Sequence, residues 1–318
     1  MLRRSLLLAL LSLVIALPAA AQTGRPLRIV VPYPPGGSVD VVARVLAQAM
    51  TAASGANVVV DNRAGASGNI GTELVARAAG DGTTVLAQTL PFVVNPSLFR
   101  TVPYDPVKDF EPVSLLASSP SILVVHPSVP AKSLKELIDL AKAQPGKLNY
   151  SSAGNGTNLH IPAELMKGLA KVEIVHVPYQ GGGPAMTAVL SGEVQLSFPN
   201  IVPAVPHVQG NTVRALAVTG SSRSKILPDV PTMAEAGLPG YEFSTWWAIL
   251  APASTPAATV AALNRQVTQA MRSREVTERM NKEGAEVVAG TPEQLGAFVK
   301  TEVTKWADVI KAAGIKLD

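Results

Sequence analysis

The chain has 318 residues, with 27 lysines and arginines against 23 aspartates and glutamates, and with no cysteine. This length allows two ordinary domains, each with a sizeable hydrophobic core. Without cysteine, the sequence excludes disulfides, thiol catalysis and a lipid-anchored lipoprotein. Charged residues are sparse and mixed in sign, and no basic stripe alternates with aromatic residues, so nucleic acid is not an expected partner.

The first 21 residues have the pattern of a secretory signal. Arg3 and Arg4 precede an apolar run over residues 6–17, which is followed by Pro18 and three alanines. We predict cleavage after Ala21, which removes the two arginines and lowers the formal net charge from +4 to +2. The expected location of the mature protein is a bacterial periplasm. The alternative, a membrane anchor, requires about 20 apolar residues.

The first strand and the first helix of the mature chain are joined by Tyr-Pro-Pro-Gly-Gly-Ser-Val-Asp at residues 33–40. Residues 27–31 are predicted to form a buried strand and residues 39–50 an amphipathic helix, with Ser38 as its N-cap. The glycines let backbone amides come close to a ligand, and a helix start presents unpaired N–H groups that suit an anion. A tight connection without a ligand is the alternative for such a turn. Asp40 is assigned to the helix dipole and the loop geometry rather than to a catalytic base.

Strands and helices alternate in the part of the chain that follows. Strands are predicted at residues 58–60 and 84–87, with a glycine-rich loop at 62–71 and a helix at 72–79 between them. This order indicates a parallel sheet with helices on its faces, in which ligands bind at the carboxyl ends of the strands. Residues 91–112 are rich in proline and aromatic side chains and are interpreted as a long connection.

A second unit of the same kind occupies the middle of the chain. Its strands are predicted at residues 122–125, 148–151, 172–177, 194–198 and 213–219, and its helices after a capping box at Ser133, after the loop 152–157 and at 184–190. Three helical stretches beyond residue 255 are expected to pack back onto the first unit. We therefore predict an α/β fold of two lobes, one formed by residues 22–119 with 221–318 and the other by residues 120–220. Two chain crossings between the lobes would form a hinge.

No catalytic or metal-binding set is visible in the sequence. There are four histidines, none of them in an HExxH pattern, and there is no Gly-x-Ser-x-Gly elbow, P-loop or GxGxxG motif. We therefore expect no metal, no cofactor and no enzymatic activity. Residues distant in sequence can still assemble a catalytic triad, which leaves a secreted α/β hydrolase as the alternative.

The loops at the predicted strand ends are rich in glycine, serine, threonine and asparagine. Backbone amides, hydroxyls and helix N-termini in such loops suit a small carboxylate that must be released again. His160 is interpreted either as a donor to this ligand or as a structural histidine. Asn200 follows a predicted strand and either reaches the ligand or caps the next helix. Of Trp246 and Trp247, one is expected to face the core and the other the cleft or the solvent.

Several of these motifs occur together in one known family. The predicted signal is followed by Val-Pro-Tyr-Pro-Pro-Gly-Gly at residues 31–37, by Asn-Arg-Ala-Gly-Ala at residues 62–66 and by Gly-Asn-Ile-Gly at residues 68–71. With these motifs the chain resembles the Bug family of solute receptors, the TctC-like substrate-binding subunits of tripartite tricarboxylate transporters. The similarity covers essentially the whole mature chain and continues through residues 152–160, 177–181, 216–219, 227–237 and 247–256.

The resemblance implies a two-domain periplasmic binding protein of the type II-like, Venus flytrap kind, with a ligand cleft between the lobes. Such a receptor captures a small organic acid and delivers it to the membrane subunits of its transporter. A receptor that serves a sensor kinase is a further alternative, and a monomer is expected. Members of the family commonly carry an acidic residue where Asn200 stands. Together with His160, the expected ligand-binding residues are Tyr33, Pro35, Gly36, Gly37, Ser38, Asp40, Thr89, Ser152, Ala153, Gly154, Asn155, Thr157, Tyr179, Gly181 and Asn200.

Overall fold

The computed structural model describes residues 25–282 and 284–313. The predicted signal sequence and its cleavage after Ala21 lie outside the described residues. Two mixed β-sheets, one of six strands and one of five, are each covered by helices. The predicted two-lobed α/β fold is therefore confirmed. No helix within the described ranges is long and apolar enough to cross a membrane.

Along the chain, the helices and strands of the first lobe are interrupted by those of the second lobe. The first lobe begins with β1 (Leu27–Val31), α1 (Ser38–Ser54), β2 (Val58–Asn62), α2 (Asn69–Ala76), β3 (Thr84–Gln88), α3 (Pro91–Leu98) and β4 (Phe110–Pro120). The second lobe contains β5 (Ile122–Val125), α4 (Leu134–Ala143), β6 (Asn149–Ser152), α5 (Ile161–Ala170), β7 (Val175–Pro178), α6 (Gly182–Leu190), β8 (Leu196–Ser197), α7 (Ile201–Gln209) and β9 (Arg214–Val218). The chain then returns to the first lobe with β10 (Ser244–Pro252), α8 (Ala257–Met271), α9 (Arg274–Lys282), β11 (Glu286–Val287) and α10 (Pro292–Ala313).

The first sheet has the strand order β11-β4-β10-β3-β1-β2. Strand β1 runs parallel to β2 and β3, whereas β10 is antiparallel to β3 and β4. The carboxyl ends of β1, β2 and β3 therefore lie on one edge of the sheet, the usual position of a ligand in such a sheet. Because β4 ends and β10 begins at this same edge, it faces the second lobe.

The second sheet has the order β7-β6-β8-β5-β9. Strand β6 runs parallel to β7 and β8, while β5 is antiparallel to β8 and β9. The carboxyl ends of β6, β7 and β8 consequently share an edge with the start of β5, where the chain arrives from the first lobe. The loops that precede α5, α6 and α7 therefore face the first lobe.

The two lobes are connected by chain segments that lie side by side. The Ser121 N–H donates to Thr219 Oγ1 at 2.8 Å, and the Thr219 N–H donates to the Ser121 carbonyl at 2.9 Å. The Phe243 N–H donates to the Thr219 carbonyl at 2.8 Å, immediately before β10 begins. Before that point the chain remains with the second lobe, because the Met233 N–H donates to the Val218 carbonyl of β9 at 2.9 Å.

The three C-terminal helices pack back onto the first lobe. Val260 of α8 and Val276 of α9 share an apolar cluster with Val42 of α1, on one face of the first sheet. Helix α10 covers the opposite face, where Trp306 is fully buried in a cluster that extends to Tyr150 of the second lobe. Burial of large apolar side chains on both faces fixes the position of the sheet edge that carries the β1–α1 turn.

One sequence prediction about the elements was wrong. The presumed connection at residues 91–112 contains helix α3, with Pro91 at a first-turn position, where proline is well tolerated. Phe92 is fully buried there, so tertiary packing outweighs the missing helical period. Strand β4 extends through Ser118 and Ser119, which pair with β10. Helix α7, which contains two prolines, begins directly after Asn200, as one of the two interpretations of this residue requires.

Candidate ligand-binding site

The turn after β1 ends in a helix start that differs from the prediction at one position. Gly37, with φ −72° and ψ 165°, occupies the N-cap of α1, so the prediction of Ser38 as the cap was wrong. The helix begins one residue earlier than predicted because the Val41 N–H donates to the Gly37 carbonyl at 3.0 Å, and the Ser38 hydroxyl instead accepts from Trp247 Nε1 at 3.4 Å. Gly36 has a φ of +84°, in the left-handed region that glycine adopts without strain.

The buried carboxylate of Asp40 stabilises the turn by accepting several hydrogen bonds. Its Oδ2 accepts hydrogen bonds from the Gly36 N–H and from Arg44 Nε, both at 2.9 Å. Its Oδ1 accepts from Asn62 Nδ2 at 2.9 Å, and the same amide donates to the Tyr33 carbonyl at 3.1 Å. The Arg44 guanidinium, with smaller contributions from Gly36 and Asn62, holds the pKa of the Asp40 carboxyl at about 2. The assignment of Asp40 to loop geometry is confirmed.

Replacing Asp40 by alanine should lower the free energy of unfolding by about 1–3 kcal/mol, because Gly36 and Arg44 lose a buried acceptor. Urea denaturation at neutral pH measures this difference. The matched control is Asp139→Ala, which removes an exposed i,i+4 pair with Lys135 and should cost less than about 0.5 kcal/mol. An Asp40→Ala variant as stable as the control would show that the carboxylate does not hold the turn.

The Tyr33 side chain connects the turn to the neighbouring glycine-rich loop. Its hydroxyl donates to Gln88 Oε1 at 2.8 Å, and burial raises the pKa of this phenol well above its usual value. The ring lies over Gly68, where an added Cβ would come within 3.1 Å of it. Gln88 in turn donates to Thr72 Oγ1 at 2.7 Å. The carboxyl ends of β1, β2 and β3 are thereby held as one rigid edge.

Backbone donors of this turn are available to a ligand. Within the described residues, the N–H groups of Gly37, Ser38 and Val39 donate to no acceptor, whereas the Gly36 N–H is bonded to Asp40. The amides of Gly37, Ser38 and Val39 are therefore the expected anion-binding groups, because the Gly36 N–H already donates a hydrogen bond to Asp40. The free amides lie at the positive end of α1, which has 17 residues.

A cavity of about 170 Å³ lies between the lobes beside these amides. Gly36, Ser38 and Trp247 line it from the first lobe, and Asn200 and Val202 line it from the second. Of the predicted ligand-binding residues, the cavity brings together Gly36, Ser38 and Asn200. Trp247 faces this cavity and Trp246 lies in the core against Phe298, which confirms the expectation for the tryptophan pair.

Asn158, which was not predicted as a site residue, joins three segments at the cavity. Its Nδ2 donates to Asn200 Oδ1 at 2.8 Å and lies 3.5 Å from Thr245 Oγ1 of β10. Asn200 occupies the N-cap position of α7, but its side chain makes no capping hydrogen bond. Instead, the side chain of Asn200 is oriented by Asn158. Asn158 belongs to the segment 152–160, one of the segments over which the sequence resembles the Bug family.

The loop after β6 is braced by its own hydroxyl groups. Ser152 Oγ accepts from the Gly154 N–H at 3.1 Å, and Thr157 Oγ1 donates to the Gly154 carbonyl at 2.7 Å. His160 Nδ1 accepts from the Gly156 N–H at 3.0 Å, and the His160 side chain is only 3% exposed. These contacts favour the structural interpretation of His160 over direct donation to a ligand.

Three stacked rings, those of His160, His176 and Tyr150, pack next to this loop. The rings of His160 and His176 lie 4.2 Å apart, and Tyr150 stacks on His176 at 4.8 Å. His176 Nε2 contacts Ser152 Oγ at 2.5 Å. This serine–histidine pair does not favour the hydrolase alternative, because the Ser152 side chain is fully buried and already bonded to Gly154. A substrate would have no access to the hydroxyl.

The remaining predicted site residues fall into two groups. Thr89 Oγ1 donates to the Trp246 carbonyl at 2.6 Å, and the Tyr179 hydroxyl donates to Glu193 at 2.9 Å, so both hydroxyls are already engaged. The other group lies at the surface or half-buried around the two loops and consists of Pro35, Gly37, Ala153, Asn155 and Gly181.

Similarity to known proteins identifies the family of this chain. A sequence profile described as "Tripartite tricarboxylate transporter family receptor" matches residues 42–315. The chain belongs to this family. Protein BugT of Bordetella pertussis is 39% identical to this receptor over 307 residues, which are 95% of this chain and 94% of BugT. The predicted membership of the Bug family is confirmed.

Solved structures agree with this membership. The structure of Rpa4515 from Rhodopseudomonas palustris with adipate is 37% identical in sequence and has a TM-score of 0.78. The alignment covers 92% of this chain and 99% of Rpa4515. MatC from the same organism, solved with bound malate, is 35% identical with a TM-score of 0.75, covering 91% of this chain and 99% of MatC. The family consists of substrate-binding receptors, and members such as BugD are periplasmic binding proteins.

Proposed function

We propose that this receptor captures a small organic acid through one carboxylate and delivers it to the membrane subunits of a tripartite tricarboxylate transporter. The observation that carries the proposal is the row of unpaired amides at Gly37, Ser38 and Val39, beside an inter-lobe cavity. Related receptors are described with adipate and with malate, which are both small dicarboxylates. An anion at a helix N-terminus satisfies these amides and interacts favourably with the helix dipole.

The second lobe closes the site in this proposal. The loop 152–157 and the segment 179–181 follow β6 and β7, whose carboxyl ends face the first lobe. The hinge consists of the chain crossings near Ser121 and near Phe243, because the segment between Thr219 and Phe243 stays with the second lobe through the hydrogen bond from the Met233 N–H to the Val218 carbonyl. Braced loops on rigid sheet edges let the lobes move as bodies while the contacts within each lobe are preserved.

The remaining parts of the proposal concern the setting of the receptor. The chain is exported through a leader cleaved after Ala21, acts in the periplasm as a monomer, and has no enzymatic activity of its own. Recognition by uncharged amides and hydroxyls suits a receptor that must release its ligand, because a buried bidentate arginine would hold a carboxylate more tightly.

Calorimetric titration of the mature protein against adipate, malate, succinate and citrate tests the carboxylate proposal. At least one acid should bind with a saturable heat signal and raise the melting temperature as its concentration increases. Adipamide, which has the same carbon chain without charge, is the control and should not bind. Absence of binding for every acid, with the protein shown to be folded, would contradict the proposal.

A further inference from the structure

One glycine of the first lobe packs against a helix of the second lobe. Gly284 follows α9 and has a φ of +66°. Its N–H donates to the Asn281 carbonyl at 3.0 Å. The Ala285 N–H donates to the Met280 carbonyl at 2.9 Å, which completes the Schellman motif that ends many helices. The Ser119 hydroxyl of β4 donates to the Gly284 carbonyl at 2.8 Å, so the end of α9 is fixed to the first sheet.

The first turn of α7 occupies the space that a side chain at position 284 would need. A Cβ added to Gly284 would overlap the Cγ2 methyl of Val202 and would lie 3.1 Å from the Cγ2 methyl of Ile201. Neither methyl turns aside easily, because Ile201 is fully buried in the second lobe and a valine in a helix has one strongly preferred χ1 rotamer. Among the glycines of the described residues, Gly284 is the one at which a Cβ would overlap an atom of the opposite lobe.

This contact lies at the wall of the inter-lobe cavity. Val202 lines the cavity from the second lobe together with Asn200, and Ala285, the neighbour of Gly284, lines it from the first lobe. Ser38, at the start of α1, lines the same cavity. The distance between α7 and the end of α9 therefore determines how far the second-lobe wall stands from the amides of α1.

We propose that Gly284 is a positioning residue for ligand binding, because the absence of a Cβ lets α7 pack closely enough for both lobes to contact one ligand. This inference rests on the proposed function. The Schellman motif explains a glycine at the end of α9, whereas the contact with Val202 adds a requirement from the other lobe. A Cβ at position 284 would hold α7 away, and fewer molecules would adopt the arrangement that binds.

Gly284→Ala tests this role against Gly55→Ala as a matched control. Gly55 ends α1 with a φ of +67°, and a Cβ added there would meet no atom within 4 Å. Both variants therefore carry similar left-handed strain at a helix end, but only Gly284→Ala meets the other lobe. Titration uses whichever of adipate, malate, succinate and citrate binds the wild type. Gly284→Ala should bind it at least about fivefold more weakly, and Gly55→Ala within about twofold of the wild type. Equal affinities of the two variants would overturn the inference.

Removing the opposing methyl groups should restore binding. Val202→Ala deletes the Cγ2 methyl and leaves a Cβ that lies 3.4 Å from a Cβ added at Gly284, an ordinary contact. The double variant of Gly284→Ala and Val202→Ala should therefore bind more tightly than Gly284→Ala alone. Val202→Ala by itself measures the apolar contact that the cavity wall loses. A double variant whose loss equals the product of the two single losses would overturn the inference, because the two positions would then act independently.

A measurement without ligand separates this inference from the proposed function. Because the chain has no cysteine, nitroxide labels attached at Gln209→Cys in α7 and Gln266→Cys in α8, both exposed positions, report the distance between the lobes. The mean distance between the labels should be longer in Gly284→Ala than in the wild type and in Gly55→Ala. An unchanged distance would overturn the positioning role, even with carboxylate binding intact. If the distance increased but no acid bound the wild type, the proposed function would fail while the effect of Gly284 on the lobe arrangement would stand.

Discussion

Gly37→Pro should weaken carboxylate binding by about 10- to 100-fold, because a hydrogen bond from one N–H to a charged group is lost. Proline is a suitable probe at this position, since the φ of Gly37 is −72° and proline fixes φ near −65°. A Cβ at Gly37 would meet only the Pro34 carbonyl oxygen, at an ordinary contact distance of 3.6 Å. The preceding residue, Gly36, has no Cβ that a proline ring could strike.

Gly37→Ala is the matched control, because it adds the same Cβ but keeps the N–H. We expect its affinity to remain within about threefold of the wild type. Val39→Ala also keeps its amide and should change affinity little, although Val39 is buried and the variant should lose about 1–2 kcal/mol of stability. Calorimetric titration gives the three affinities, and thermal melting shows whether each variant is folded. Equal losses in Gly37→Pro and Gly37→Ala would mean that the backbone donor does not bind the ligand.

The sequence was informative wherever a local pattern determines structure. The apolar run before the turn forms β1 at residues 27–31, as predicted, and Gly36 of the turn occupies a left-handed backbone conformation that other residues adopt less readily. The capping residue Ser133 accepts the Glu136 N–H at 3.2 Å, as its motif indicates. Such features depend on neighbours within a few residues, so the local amino-acid sequence contains the information that specifies them.

Contacts between distant segments explain what the sequence did not reveal. Arg279 of α9 donates to Gln48 of α1 at 3.5 Å only because α9 returns to the first lobe after the chain has passed through the whole second lobe. The hydrogen bonds of Asn158 join α7 to β10, and neither partner can be recognised from the motif that contains Asn158. The hydrogen bond of the Ser38 hydroxyl could not be predicted for the same reason, since its donor Trp247 is more than two hundred residues away.

His160 and His176 should make the receptor sensitive to mild acid. Burial, followed by the positive neighbours His176 and Lys167, lowers the pKa of His160 from 6.5 to about 3. Burial also lowers the pKa of His176, an effect that nearby Glu164 opposes. The other groups that face these rings are the Tyr150 hydroxyl, bonded to Glu164 at 2.5 Å, and Ser152 of the braced loop.

The direction of the pH effect follows from proton binding in the two states. Below an unfolded pKa of 6.5 the unfolded chain binds a proton that folded His160 excludes, so stability falls as the pH is lowered and continues to fall until about pH 3. The loss due to His160 should be on the order of 2 kcal/mol by about pH 5. Asp40, whose folded pKa is about 2, loses its contribution as the pH falls from its ordinary value of 3.8 toward 2, which is below the range in which most of the His160 effect develops.

Urea denaturation at a series of pH values between about 7.5 and 5 should therefore show a positive slope of stability against pH that shrinks in His160→Gln. The glutamine carbonyl can still accept the Gly156 N–H that His160 Nδ1 accepts at 3.0 Å, but it does not titrate. The slope left in this variant should decrease further when His176 is also replaced by glutamine. A His160→Gln variant with the full wild-type slope would contradict the assignment, because the proton excluded on folding would then belong to another group. The loop 152–157 would be affected first, since a protonated Nδ1 can no longer accept from Gly156.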